Sequence, residues 1–106
     1  IELVERNMPV STDELEDGLW GLDRIDQETL PLDYEFNRPN GATGENVHIY
    51  IVDSGLLYSH EEFKGRIGMS YDVIDEDDYA ADCSSGGHGT QVAGIAAGAT
   101  LGVAPK

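Results

Sequence analysis

Val47-His48-Ile49-Tyr50-Ile51-Val52 runs straight into Asp53-Ser54-Gly55, and this junction sets the expectation for the fold. Aliphatic side chains occupy both faces of the run, interrupted only by His48 and Tyr50. A strand with one face in water would alternate, so the pattern predicts a central parallel strand covered by helices. Asp53 then falls at the strand's carboxyl end. In open α/β sheets, catalytic and ligand-binding groups gather there, where the backbone opens into loops.

Downstream, Ile67-Gly68-Met69-Ser70-Tyr71-Asp72-Val73 reads as a second strand. The acidic loop Asp75 to Asp82 and the small, polar Ser84-Ser85-Gly86-Gly87 follow. From His88 to Ala99 the residues are small, with Val92, Ala93, Ile95 and Ala96 apolar at helical spacing, which predicts a buried helix. Gly94 and Gly98 each cost that helix about 1 kcal/mol relative to alanine, so close packing against a neighbouring backbone is expected there. Upstream, Pro31, Pro39, Asn40-Gly41 and Gly44 mark loops and turns. Leu19 to Ile25 places large apolar groups on a short segment that must dock on a core. Residues 11–18 read as an exposed acidic linker, a natural cleavage point, and Ile1 to Asn7 as a weak edge strand ended by Pro9. Internal repeats and low-complexity segments are absent from the sequence.

The 106 residues carry 21 acidic and 6 basic side chains, a formal net charge of −15. Such a surface repels phosphates and anionic membranes, which excludes nucleic acid and membrane partners and is otherwise a solvated, solubilising face. No apolar stretch approaches the ~20 residues of a membrane helix. A doubly wound fold usually needs a longer chain, so this one is expected to be part of something larger, with its front end trimmed. Cys83 is the only cysteine. It is either a quiet thiol or one whose partner lies elsewhere.

An acyl-transfer nucleophile needs a base to take its proton, and the base needs a carboxylate to fix its tautomer and stabilise the imidazolium. Asp53 and His88 suit those two roles. His88 opens the predicted helix within Gly87-His88-Gly89-Thr90-Gln91-Val92-Ala93-Gly94, and it follows Asp53 by 35 residues. That interval accommodates a loop, a strand and a second loop, bringing the helix start beside the strand end. A nucleophile is missing: Ser54, Ser84 and Ser85 do not occupy a strand-to-helix elbow. His48 reads as a packing histidine, His60 as a support for the loop after Asp53, and Trp20, Tyr50, Tyr58 and Tyr71 as core and edge packing. Asp72, Asp75 and Asp77 stand in D-x-x-D-x-D spacing with Asp78 and Asp82 close by. Calcium takes oxygen ligands from flexible acidic loops of this kind, while the competing reading is a solvated run whose repulsion is tolerated.

Three segments, Gly44 to Leu56, Ser59 to Arg66 and Gly87 to Ile95, resemble the aspartate and histidine motifs of subtilisin-like serine proteases. Aspartate before histidine with serine last is also that family's order. Trp20-Gly21-Leu22-Asp23-Arg24-Ile25 is similar to the start of the mature enzyme in the proteinase K-like branch. The resemblance covers residues 19–106 and implies an α/β fold of three layers with a mostly parallel central sheet, of which this chain holds only the N-terminal part. It implies a serine endopeptidase that hydrolyses peptide bonds through an acyl-enzyme, with Asp53 as orienting acid and His88 as general base. The serine and the oxyanion asparagine would lie beyond Lys106, leaving this chain inactive alone. Catalysis in such a protein needs no cofactor. Some relatives bind calcium in the loop holding Asp72, Asp75 and Asp77, which makes a structural calcium an expectation here.

The partners implied are the remainder of the catalytic domain carrying the serine, peptide or protein substrates, and an inhibitory propeptide. Ile1 to Val10 is similar to the last strand of that propeptide, so residues 1–18 read as its tail and linker, with the junction between Val10 and Leu19; the other reading is a disordered acidic extension. Cys83 resembles a disulfide cysteine of some relatives, with a partner after Lys106, which fits a secreted protein in an oxidising compartment; a buried unpaired thiol is the alternative. Two positions depart from the family pattern. Gln91 replaces a common second histidine and Ser54 a commoner threonine, neither of them in the triad. The competing functions are a catalytically inactive relative acting as a binding or regulatory protein, and an acidic calcium-binding module.

Overall fold

The computed structural model of the chain describes residues 20–106, which fall into two compact units, 20–37 and 38–106. The expected propeptide tail and linker at 1–18 lie outside the described residues.

In the first unit, helix α1 spans Trp20–Asp26 and buries Leu22 and Asp23. The two aspartates, three residues apart on neighbouring turns, organise the loop that follows. Asp23 Oδ2 accepts the Tyr34 amide at 2.7 Å and Asp26 Oδ2 the Asn37 amide at 2.6 Å. Both bonds join residues eleven apart, so the returning loop runs alongside the helix with a constant offset. Trp20, expected in the core, is 64% exposed.

The second unit is built around helix α2, His88–Ala97. Phe63, buried on the 3-10 turn Glu61–Phe63, lies beneath it, and a β-carbon at Gly94 would sit 4.0 Å from the Phe63 ring. That is ordinary contact with a side chain, so the close backbone approach expected at Gly94 is not found there; it occurs at Gly98, where a β-carbon would stand 3.3 Å from the Gly102 amide nitrogen. The helix stops two residues short of the expected Ala99 because Gly98 turns out of helical geometry, at φ −57° and ψ 140°.

The strands expected at 47–52 and 67–73 do not form among the described residues. A strand exists only through pairing, and among the described residues no neighbour runs beside 47–52 to accept its ladder; Tyr50 and Val52 are 86% and 99% exposed. In 67–73 only Asp72 pairs, with Asp77, closing a tight acidic loop. One parallel bridge joins Leu56 to Ala81: the Leu56 amide donates to Ala80 at 2.9 Å and the Asp82 amide to Leu56 at 3.2 Å. This bridge places the loop after Asp53 beside the segment that leads to His88.

Candidate active site

Glycines allow the two motifs to meet. Gly87 precedes α2 in the left-handed region, at φ 65°, a conformation that a side chain would strain. At Gly89 a β-carbon would overlap the Gly55 carbonyl oxygen and stand 3.2 Å from Asp53 Oδ1. The glycines flanking His88 thus serve different ends: one turns the chain into the helix, and the other brings the helix start against the loop after Asp53.

In that setting His88 Nδ1 lies 2.7 Å from Asp53 Oδ1. An ionised carboxylate only accepts, so the proton of this bond sits on Nδ1 and the lone pair of the neutral ring is on Nε2. The same Oδ1 accepts the Ser54 amide at 2.7 Å, which holds the carboxylate in place. The Asp53 side chain is 19% exposed and the imidazole 70%, so the acid is sheltered while the ring faces outward. The hydrogen bond from His88, then that from the Ser54 amide, holds the Asp53 carboxyl below its ordinary value. Conversely, the hydrogen bond to Asp53 and its negative charge raise the His88 pKa, with a smaller push from Asp82. An oriented imidazole with an accessible Nε2 and a raised basicity is what a general base requires.

An isolated helix start leaves four amides without partners. Here all four find acceptors. The His88 amide donates to Ser84 Oγ at 2.8 Å, Gly89 to Ser54 Oγ at 3.0 Å and Thr90 to Asp82 Oδ2 at 2.9 Å. The amide of the capping Gly87 donates to the Ser84 carbonyl at 3.1 Å. Asp82 joins three of these together, because the hydroxyls of Ser54, Ser84 and Thr90 all donate to its carboxylate. Those donors hold its pKa far below the ordinary carboxylate range, the Thr90 hydroxyl contributing most.

The expected residues divide accordingly. Asp53 and His88 come together; Asp72, Asp75 and Asp77 do not. Among the described residues no three acidic, histidine or cysteine side chains gather as a cation site. Asp72 Oδ1 instead accepts the amides of Ile74 and Asp75 at 2.8 and 3.2 Å, closing its own turn. These residues therefore do not fit a calcium ion as they stand. Ser54 and Ser84, rejected as nucleophiles, have their hydroxyls committed to Asp82. His60 is structural, as expected: its Nδ1 accepts the Glu62 amide at 3.3 Å and caps the 3-10 turn. Gln91 Nε2 donates to the Gly86 carbonyl at 2.6 Å, bracing the loop before the histidine. Tyr58 stacks on Tyr79 with centroids 5.0 Å apart, while Tyr50 and Tyr71 are exposed. Cys83 is a free, exposed thiol, not a buried one. Asp82 is the residue that sequence reasoning missed, having placed it with the solvated acidic loop. Its signal is its position, two residues before Ser84 and just ahead of a helix start.

Residues 44–106 match the description of the Subtilase family. The chain belongs to the subtilase family. An α/β fold follows from that membership. The "Extracellular serine proteinase" of Thermus sp. (strain Rt41A) is 58% identical to this subtilase chain over 85 residues, 80% of the chain and 20% of that protein. The "Alkaline serine exoprotease A" of Vibrio alginolyticus is 47% identical over 87 residues, 82% of the chain and 16% of that protein. Over the whole chain, the "Cuticle-degrading serine protease" of Arthrobotrys oligospora is 35% identical, the match covering 26% of the relative. Fungal relatives of this kind support the proteinase K-like branch of the subtilases. The chain thus spans about a fifth of the length of the first two relatives. No solved structure matches it.

Proposed function

We propose that this chain supplies the acid and base of a serine endopeptidase, with the nucleophilic serine contributed by the remainder of the protein. The observation that carries the proposal is the 2.7 Å contact between His88 Nδ1 and Asp53 Oδ1, which fixes the tautomer and leaves Nε2 outward. In the reaction, Nε2 takes the hydroxyl proton of the serine as it attacks the peptide carbonyl, and Asp53 stabilises the imidazolium that forms. The ring then returns the proton to the leaving amine. Water completes the second half by the same route, and no cofactor takes part.

The finer architecture, three layers around a mostly parallel sheet, belongs to the same proposal. Residues 47–52 would be a central strand that pairs with segments of the remainder, which would cover the side chains of Ile49, Tyr50, Ile51 and Val52. Deployment outside the cell fits a relative named as extracellular and the exposed thiol of Cys83. Among the described residues no helix is long and apolar enough to cross a membrane.

A serine-directed fluorophosphonate applied to the full-length protein tests the proposal. Covalent labelling that is lost in His88→Ala supports it. Labelling that survives the substitution unchanged, or no labelling of the wild-type protein, contradicts it.

A further inference from the structure

The two amides that flank the His88 Cα, its own and that of Gly89, are held by Ser84 Oγ and Ser54 Oγ at 2.8 and 3.0 Å. Each hydroxyl has one proton, and both donate it to Asp82 Oδ1, at 2.7 Å from Ser84 and 3.0 Å from Ser54. With the protons so committed, the oxygen lone pairs face the amides. Ser54 is the chain neighbour of Asp53, so its bond to Gly89 sets the register between acid and base directly. Thr90 repeats the device on the other carboxylate oxygen. Its amide and hydroxyl donate to Asp82 Oδ2, while its oxygen accepts the Leu57 amide at 3.0 Å. One carboxylate therefore ties the first turn of α2 to both sides of the Ser54–Leu57 loop.

We propose that Asp82 is a positioning residue for the reaction: by accepting from Ser54, Ser84 and Thr90 it fixes the start of α2 against the loop after Asp53, and so places the His88 imidazole for proton transfer. This rests on the serine protease reading above. Asparagine has the same shape, but one of its two ends donates, so it opposes a donor where the carboxylate accepts one. The substitution leaves His88 and Asp53 present and loosens the frame between them. A misplacement of about 1 Å in such a frame lowers turnover about 100-fold. The loss falls on kcat, because Asp82 and its hydroxyl partners act on the base and not on bound substrate.

The test compares the full-length wild-type protein with Asp82→Asn, Thr90→Val and Thr90→Ser. Active-site titration and steady-state kinetics are combined with proton NMR of the low-field His88 Nδ1 proton. Asp82→Asn and Thr90→Val are expected to lower kcat per titrated site by about 10–100-fold, with KM within about twofold of wild type. Thr90→Ser, which keeps the hydroxyl, restores most of the loss. The Nδ1 resonance is expected to broaden or move upfield in Asp82→Asn. Unchanged kcat per titrated site overturns the proposal, as does a loss accounted for wholly by fewer titratable sites. If Asp82→Asn does not fold, the Thr90 pair decides by the same criteria. If the wild-type protein does not react with fluorophosphonate, the protease reading fails separately, and the NMR comparison still decides: a resonance identical in Asp82→Asn overturns positioning, and a shifted or broadened one supports it.

Discussion

The two ends of helix α2 are both fully satisfied, but by different means. At the start, three of the four free amides donate to side-chain oxygens of Ser84, Ser54 and Asp82. At the finish, three of the four free carbonyls accept backbone amides: Ile95 from Val103, Ala96 from Ala104 and Gly98 from Gly102, each at 3.0 Å. The fourth, Ala97, accepts from the Arg66 guanidinium. Glu62 secures the turn beyond, accepting the amides of Thr100 and Leu101 at 2.9 and 3.3 Å together with the Thr100 hydroxyl. Each end thus has one carboxylate that gathers amides and hydroxyls, three hydroxyls at the start and one at the finish. Only the carboxylate at the start acts on the residues that would move a proton. Main-chain bonds carry most of the finish, with Arg66 and Glu62 adding to them, whereas the start takes its geometry from a few side chains whose chemistry can be altered singly.

If that contrast is right, substitutions at the start reduce turnover and substitutions at the finish reduce only stability. The largest effect is expected for His88→Ala in the full-length protein, a fall of about 10⁶-fold in kcat, followed by Asp53→Asn at about 10⁴-fold. The histidine figure is the one measured in subtilisin and the aspartate figure the one measured in a chymotrypsin-like protease, and steady-state kinetics checks both. Gly89→Ala comes next, because its methyl would collide with the Gly55 carbonyl and separate acid from base. A kcat loss of at least about 100-fold is expected, read against active-site titration.

The pH profile sharpens the same contrast. The base works in its neutral form, and Asp53 raises the His88 pKa above its ordinary 6.5, so the acidic limb of kcat/KM is expected above pH 6.5. Asp53→Asn removes the raising charge, and the limb moves down. Stability falls in the same direction, but at lower pH. The lowered pKa of Asp53 means that its contribution is present above its unfolded value near 3.8 and is lost as pH falls through the folded value.

The smallest effect belongs to the finish of the helix. Glu62→Gln is expected to leave kcat within about twofold and to lower Tm by about 2–4 °C, measured by calorimetry. The Thr100 hydroxyl and amide hold the Glu62 pKa below its ordinary 4.5, so this difference is present above pH 4.5 and disappears as pH falls through the folded value. A turnover loss in Glu62→Gln comparable to that of Gly89→Ala would abolish the distinction between the ends.

Legibility in the sequence follows the same division between local and distant causes. Asp53 and His88 were readable because glycine-framed turns and a helix start are short-range signals, and the spacing of Val92, Ala93, Ile95 and Ala96 marked α2, although the helix is not buried as expected: Ile95 is 68% exposed. The strand at 47–52 was not realised, since its ladder depends on neighbours that no local pattern supplies. Aspartates at 72, 75 and 77 share a spacing suited to calcium, yet spacing does not direct carboxylates inward, and Asp72 turned to its own loop amides. Asp82 escaped notice because Gly86 and Gly87 separate it from the helix it caps. Its acceptors reach Thr90 only after the chain doubles back.

The most direct measurement is a double-variant cycle on kcat/KM of the full-length protein, with Asp53→Ala, His88→Ala and the two combined. If the carboxylate acts only by orienting and stabilising the imidazole, the double variant will be no slower than His88→Ala alone, within about twofold. Losses that multiply, leaving the double variant slower by the full Asp53→Ala factor, would mean that the two groups act independently and would contradict the pairing.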